Sequence, residues 1–401
     1  MYIFRALERE PWFGSLAALT EAQLSRESVV VAALYAELYA VLAEAGHADL
    51  LGAAAASLLY TASPLTRLTG QEAPPPKGLL DGARHDLKGL LELFRRDWQT
   101  EVAEILKVEV PPLESLASPQ RGSVGSLRDL LYTGTVDDIL DALLEAYRKD
   151  GTGDMARFPA FRWVGGALQG VVQPAWTDET RLVGVEGPLS RLRLNTEAFL
   201  AGQPAQHALL YGPRGSGKST AVRSLGGHYA QDGLRFVEVT PEHLTELPAI
   251  LERLRDGPHH YLLFVDDLAF GTDSSAYGPL KSLLEGSLGG RPDNVRVYAT
   301  SNRRHLVTER FSDRPDPLSD DPLAWDTQHE RLALSDRFGL VITFPDATQR
   351  KYLEIVRSLA AQDGLVNDDL EPKAVRFADW GNGYSGRTAQ QFIEALRSGL
   401  A

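Results

Sequence analysis

The sequence predicts an α/β protein whose parallel sheet is preceded by an all-helical region and followed by a small helical appendage. Apolar residues recur at helical spacing through residues 1–150, which indicates packed helices. From residue 205 to 346, short apolar runs alternate with helical patterns, as in a parallel sheet covered on both faces. Residues 347–401 contain three further helical patterns, and residues 151–204 are a connector that leads into the sheet.

The N-terminal region, taken first, predicts a bundle of four or five helices separated by proline clusters at 74–76 and 111–112. Nothing in it carries chemistry. Its histidines, His47 and His85, are isolated from any partner cluster and are better interpreted as packed or solvated side chains than as metal ligands. We therefore expect this region to recognise a partner rather than to catalyse.

The connector and the sheet come next. Residues 157–163 alternate aromatic and basic side chains, which we interpret as a packed connector rather than a nucleic-acid patch because the stretch is short. Residues 303–332 form a long Pro- and Asp-rich stretch, typical of a functional or mobile loop. Five strands are predicted for the sheet, at residues 208–211, 235–240, 261–265, 295–299 and 340–344.

Composition excludes several classes of site. The 401 residues include 41 basic and 54 acidic side chains, a net charge of −13, so a general attraction for a phosphate backbone or a membrane surface is not expected. Cysteine is absent, which excludes disulfides, thiolate nucleophiles and Cys-based metal sites. No signal peptide is evident, and charged residues interrupt the apolar stretch at 29–59. We therefore expect a cytoplasmic protein without a membrane partner.

The most specific motif is a phosphate-binding loop. Residues 212–219 match G-x-x-x-x-G-K-[ST] and lie between a predicted strand and a predicted helix. Glycines let the backbone turn its N–H groups toward an anion, the lysine places a charge at the terminal phosphates, and the serine hydroxyl can ligate Mg²⁺. The expected nucleotide-binding residues are Gly212, Pro213, Arg214, Gly215, Ser216, Gly217, Lys218, Ser219 and Thr220.

An acidic strand end completes the expected phosphate site. Asp266 and Asp267 follow the apolar run 262–265, which places both carboxylates at the carboxyl edge of the sheet beside the phosphate loop. We expect Asp266 to hold Mg²⁺ with Ser219, and Asp267 to orient or activate the attacking water. No N-K-x-D guanine signature is present, so ATP is favoured over GTP.

These elements, in this order, resemble the AAA+ ATPases. The strand 295–302 is similar to the sensor 1 strand, which implies that Asn302 contacts the γ-phosphate or the attacking water. Arg387 opens the last helical pattern and resembles the sensor 2 arginine. Arg337 lies where AAA+ proteins often carry an arginine finger for the neighbouring subunit. An ion pair with Asp336 or another acid is the alternative for Arg337, and Arg331 is the alternative finger.

At finer grain, residues 140–400 resemble a bacterial family of predicted AAA+ ATPases of unknown function. The resemblance implies an AAA+ fold with a helical lid and no known substrate. Asp267 stands where most AAA+ members have Glu, so hydrolysis is expected to be slow or partner-dependent. The similar stretches, besides the phosphate loop, are Leu182–Glu186, Asn195–Leu200, Phe264–Leu268, Ala299–His305 and Leu334–Gly339.

The leading hypothesis is a homo-oligomeric ATPase that hydrolyses Mg²⁺-ATP and couples nucleotide state to remodelling or loading of an unidentified protein partner. A threading unfoldase is disfavoured, because residues 240–243 lack the aromatic–apolar–glycine loop that grips a chain. The alternative is an ATP-dependent binding switch or scaffold with negligible hydrolysis on its own. The third hypothesis is a nucleic-acid loader. The net negative charge of the chain does not favour it, although local positive charge comes from Arg291, Arg296, Arg303 and Arg304.

Overall fold

The structure is a computed structural model that describes residues 1–25, 27–69, 74–114, 116–117, 122–255, 258–269, 277–285, 292–302, 335–365, 369–381 and 383–400. The chain divides into two compact units, Met1–Arg157 and Phe158–Ala401. Within the described ranges, no helix is both long and apolar enough to cross a membrane.

The first unit is entirely helical where it is described, and its helices share one apolar core around Trp12, Leu38 and Leu87. The expectation of four or five helices was too low. Seven helices in the described part of this unit have nine or more residues, and two shorter ones carry little periodicity of their own. The helices are α1 Pro11–Ser25, α2 Ser28–Glu44, α3 Leu50–Tyr60, α4 Pro64–Thr69, α5 Lys77–Phe94, α6 Trp98–Leu106, α7 Ser123–Thr133, α8 Val136–Asp150 and α9 Asp154–Arg157.

The second unit is built on a seven-stranded sheet in the order β2-β1-β4-β5-β6-β3-β7. Every neighbouring pair is parallel except the β1–β2 hairpin. The predicted class, a parallel α/β sheet preceded by helices and followed by a helical lid, is confirmed; the predicted number of five strands was too low. The strands are β1 Ala160–Val164, β2 Ala167–Gly170, β3 Ala208–Tyr211, β4 Leu234–Glu238, β5 His260–Val265, β6 Val295–Ser301 and β7 Leu340–Thr343.

The two additional strands come from the stretch interpreted as a packed connector. Phe161 and Trp163 of β1 are buried and Arg162 between them is exposed, so the aromatic–basic alternation is that of a strand with one buried face. β1 pairs with β4, with Arg162 opposite Glu238. The alternation is a local signal for a strand, but the pairing that places β1 in the sheet depends on a partner far along the chain.

Helices cover the sheet and then form the lid. On the sheet, Leu189, Leu192 and Val222 join strand residues in one apolar core. The lid has a core of its own around Tyr352, Val356 and Phe392. The helices of this unit are α10 Glu186–Leu200, α11 Lys218–His228, α12 Leu247–Leu254, α13 Tyr277–Glu285, α14 Gln349–Gln362, α15 Leu370–Trp380 and α16 Gly386–Arg397.

The helical segment that covers residues 241–254 is divided in two. A 3₁₀ helix occupies Pro241–Glu246, and α12 begins only at Leu247. Prolines lie in the first turn of each piece, where the missing N–H is not needed. The second proline therefore starts a new helix instead of continuing the first.

Candidate functional site

The phosphate loop connects the end of β3 to the start of α11. Gly215 and Gly217 have φ angles of +76° and +93°, in the left-handed region that favours glycine. A Cβ atom at Gly215 would lie 2.8 Å from the Ser385 Oγ atom, so glycine is also required there by space. The turn brings the backbone of the loop against the first turn of α16 in the lid.

Lys218 is the buried cation at the start of α11, with 7% of its surface exposed. Its Nζ donates hydrogen bonds to the carbonyl oxygens of Gly212 at 2.7 Å and Pro213 at 2.8 Å, and to Asn302 Oδ1 at 3.0 Å. Burial lowers the pKa of Lys218, while the carboxylates of Asp267 and Asp266 raise it and two arginines lower it further. These three hydrogen bonds give each N–H donor of the Lys218 ammonium group a protein acceptor.

Asp266 lies at the end of β5 with hydrogen-bond donors on both carboxylate oxygens. Its Oδ1 accepts from Ser219 Oγ at 2.5 Å and from Thr300 Oγ1 at 2.6 Å. Its Oδ2 accepts from Arg223 Nη2 at 3.3 Å. The carboxylate is thus held with one oxygen directed toward the serine hydroxyl that begins α11.

Asp267 takes a left-handed backbone conformation with φ +53°, which is uncommon for a residue other than glycine. Its N–H donates to Thr300 Oγ1 at 2.9 Å, and its Oδ1 accepts from Asn302 Nδ2 at 2.7 Å. Such strain often accompanies a functional site. The structure thus brings together Lys218, Asp267 and Asn302, three of the four residues predicted to be catalytic.

Arg223, which sequence reasoning missed, extends this network across the sheet. Its Nη2 contacts Glu238 Oε1 at 3.1 Å as well as Asp266, and its guanidinium lies 5.2 Å from the centre of the Phe264 ring. Glu238 also accepts from Arg162 Nε at 3.1 Å. The available signal was the position of Arg223 five residues after Lys218, on the helix that follows the loop.

A cavity of about 540 Å³ opens between the phosphate loop and the lid. The polar groups described above form part of its lining. Apolar side chains also line it, and they were not predicted because they come from a segment before α10, from the residues before the first lid helix and from that helix. This volume is typical of a site for a small organic ligand. The apolar lining residues are Leu182, Val183, Val185, Pro345, Ala347, Ile355 and Leu359, and the charged residues Arg181 and Lys351 line the cavity as well.

The lid reaches the phosphate loop through its last helix. The N–H of Arg387 lies 3.4 Å from the carbonyl oxygen of Gly215, and the Arg387 side chain is exposed at the cavity. Of the predicted nucleotide-binding residues, Gly212 and Pro213 do not line the cavity, although their carbonyls hold Lys218. Those that line it are Arg214, Gly215, Ser216, Gly217, Lys218, Ser219, Thr220 and Arg387.

Arg337 lies outside this cavity. Its Nε pairs with a carboxylate oxygen of Glu285, at the end of α13. The ion pair is therefore with an acid other than Asp336. The alternative finger Arg331 and the predicted loop 303–332 lie outside the described residues, as do Arg291, Arg303 and Arg304.

The polar residues of the cavity fit a nucleotide phosphate with Mg²⁺. Ser216 Oγ is buried and has no hydrogen-bond partner among the residues that the structure describes, so a phosphate oxygen would give it one. A carboxylate, Asp266, and a hydroxyl, Ser219, are hard oxygen ligands of the kind that Mg²⁺ takes together with phosphate oxygens and water. Within the described ranges, no group of three or more His, Cys, Asp or Glu is placed to form a metal site from protein alone.

Comparison with known proteins matches residues 156–400 to a family described as "Protein of unknown function (DUF815)". No curated protein matches the chain. Similar solved structures include the Thermotoga maritima RuvB Holliday junction branch migration motor, at 18% identity over 56% of this chain and 65% of that chain, with a TM-score of 0.38. The Aeropyrum pernix Orc1 protein in complex with DNA matches at 16% identity over 55% of this chain and 65% of that chain, with a TM-score of 0.39. At these TM-scores we base no argument on either likeness.

Proposed function

The chain belongs to the DUF815 family, and we propose that it is an AAA+ ATPase that binds and hydrolyses Mg²⁺-ATP and couples nucleotide state to remodelling or loading of a protein partner. The observation that carries the proposal is the meeting of Lys218, Asp266, Asp267 and Asn302 in a cavity that also has apolar lining residues. A nucleoside triphosphate has a charged phosphate chain for the first group and a ring system for the second.

Each polar group has a proposed task in hydrolysis. Lys218 and the loop N–H groups bind the phosphates, and Ser219 with Asp266 hold Mg²⁺, which supplies charge neutralisation on the phosphate oxygens. Asp267 and Asn302 orient a water toward the γ-phosphorus. The new P–O bond forms as the bond to the β–γ bridging oxygen breaks, so that ADP and inorganic phosphate leave and Asp267 accepts the water's proton.

Three further parts of the proposal concern contacts between subunits, recognition of the partner and the cellular compartment. Arg337 acts on the ATP of a neighbouring copy, and Glu285 is its partner within one chain. The helical unit Met1–Arg157 recognises the partner, since no predicted site residue lies in it. We place the activity in the cytoplasm.

A second candidate is a nucleotide-dependent switch with negligible turnover on its own. The observation that favours it is the hydrogen bond from Asn302 Nδ2 to Asp267 Oδ1, because this carboxylate oxygen then contacts an amide donor in place of a water. The side chain of Asp267, shorter than the glutamate that most AAA+ members have at this position, also favours the switch. A partner or a neighbouring subunit would then release Asp267.

ATP turnover with Mg²⁺, measured as a function of protein concentration, tests the main proposal. Specific activity is expected to rise with concentration, and Lys218→Ala and Arg337→Ala are each expected to abolish it. The exposed Lys77→Ala, in the helical unit, is the matched control and keeps full activity.

Mixing the two inactive variants separates action between subunits from action within one. Restored activity means that Arg337→Ala subunits keep an intact phosphate loop that is completed by Arg337 of a Lys218→Ala subunit. Mixtures that stay inactive contradict action across a subunit boundary. Tight ATP binding without turnover at any concentration supports the switch, and absence of ATP binding to the wild-type protein overturns both candidates.

A further inference from the structure

Residues 178–185, here called the strap, come directly before α10, and residues 181–185 of the strap line the cavity. Two successive apolar side chains of the strap pack against different apolar cores. Leu182 packs against the apolar core of the sheet, and Val183 packs against the apolar core of the lid. The strap therefore contacts both the sheet and the lid.

Charged side chains fasten the strap in the same two directions. Glu179 pairs with Arg193 of α10, on the sheet side. Two residues on, Arg181 Nη2 lies 3.5 Å from Asp363 Oδ2, at the end of the lid helix α14. Beside it, Gln362 Nε2 donates to the carbonyl oxygen of Thr180 at 2.7 Å.

Asp363 is the acceptor that two arginines share, Arg181 of the strap and Arg397 of the lid. Only 14% of its side chain is exposed, and the same Oδ2 also lies 3.5 Å from Arg397 Nη1 on α16. Arg181 lines the cavity, whereas Asp363 is not among the residues that line it. Arg181 therefore connects Asp363 to the cavity.

We propose that Asp363 is a positioning residue: through Arg181 it holds the strap against the lid and thereby sets the affinity of the cavity for the nucleoside part of the nucleotide. This inference rests on the proposed binding of ATP. The phosphate loop has contacts that do not involve Asp363, through the Lys218 side chain and with the N-terminus of α16, so we expect loss of the Arg181–Asp363 contact to leave phosphate binding intact. We expect only the interactions with the base and sugar of the nucleotide to weaken.

Calorimetric titration with Mg²⁺-ATP and with Mg²⁺-tripolyphosphate tests the proposal, because tripolyphosphate has the phosphates without the nucleoside. Asp363→Asn and Arg181→Gln are each expected to raise the Kd for ATP by about three- to tenfold, the range for a partly exposed charged hydrogen bond. Neither should change the Kd for tripolyphosphate. The double variant should be no weaker than the weaker single variant, since both remove one contact.

Arg397→Gln is the matched control, because it removes the other arginine from the same carboxylate and leaves Arg181 in place. It is expected to keep the Kd for ATP within about a factor of two. Asp363→Glu, which restores the charge, should recover part of the lost affinity. Thermal unfolding of each variant checks that the fold is kept, and Arg181→Gln carries the test if Asp363→Asn does not fold.

Three results would overturn the proposal. Unchanged ATP affinity in both variants means that the strap does not depend on Asp363. Equal losses for ATP and tripolyphosphate mean that the whole lid is disturbed, and a loss in Arg397→Gln as large as in Asp363→Asn assigns Asp363 to packing within the lid. Absence of ATP and tripolyphosphate binding to the wild-type protein would instead overturn the proposed function and this inference with it.

Discussion

Asn302 bonds to Lys218 and to Asp267 through opposite ends of its amide group. Its Oδ1 accepts from Lys218 Nζ at 3.0 Å, and its Nδ2 donates to Asp267 Oδ1 at 2.7 Å. One side chain at the end of β6 thus joins the phosphate loop to the acid that follows β5. A γ-phosphate that recruits the Lys218 ammonium group would compete with this amide, so nucleotide binding and the position of Asp267 are expected to be coupled.

Asp267→Asn is expected to separate binding from hydrolysis. The amide keeps the size of the side chain and loses the proton acceptor, so kcat should fall by about 100- to 10,000-fold while the Kd for ATP stays within about a factor of three. Single-turnover hydrolysis and equilibrium binding measure the two quantities. Asp232→Asn, an exposed position after α11, is the control. Full activity in Asp267→Asn would remove this residue from the catalytic set.

Asp266→Asn is expected to reduce the effect of Mg²⁺ on ATP binding. Asp266 and Ser219 form the oxygen pair proposed for the ion, and loss of one carboxylate should weaken the Mg²⁺-dependent part of ATP affinity by at least about tenfold. Titrations with Mg²⁺ and with EDTA give the two affinities. The exposed Asp293→Asn, just before β6, should behave as wild type. An unchanged ratio of the two affinities would contradict the assignment.

Gly215→Ala is expected to weaken ATP binding more than a glycine replacement that only strains the backbone. Gly215 has φ +76°, and its Cβ would lie 2.8 Å from Ser385 Oγ. Gly383 has φ +74° with open space around it, so Gly383→Ala has the same backbone cost, about 1–2 kcal/mol, without the collision. Affinity and Tm should therefore fall further for Gly215→Ala. Equal losses of ATP affinity and Tm in the two variants would show that the contact between the phosphate loop and the lid does not contribute to either.

His260→Gln is expected to remove a pH dependence of stability. Burial lowers the pKa of His260 from 6.5, and Arg296 lowers it further. Between the lowered pKa and 6.5 the unfolded chain binds the proton that the folded chain has lost, so the free energy of unfolding rises with pH through this window. The Tm of wild type relative to the variant should rise accordingly when scanned across it. A difference that stays constant, or falls, would contradict this assignment.

Much of the polar lining of the cavity could be anticipated from local sequence. The phosphate loop is contiguous, and Asp266 and Asn302 each follow an apolar strand of a parallel sheet, whose carboxyl ends lie at one edge. Proximity of these groups was therefore expected, and the structure places them together. Their roles in catalysis remain predictions.

Contacts between distant charged residues could not be anticipated in the same way. Arg223 and Asp363 are two of many charged side chains, and nothing beside them in the sequence indicates that one contacts Asp266 and the other Arg181. An ion pair depends on where two elements meet, and that position is a property of the packed fold.

The sequence determined the class of the fold and predicted the type of site, because periodicity and loop chemistry act over a few neighbouring residues. Only the tertiary structure decided that the β1–β2 hairpin extends the sheet, that the strap packs on both sheet and lid, and that Arg337 pairs with Glu285. These features join residues far apart in the chain. They depend on strand register and on the packing of whole elements, which local patterns do not encode.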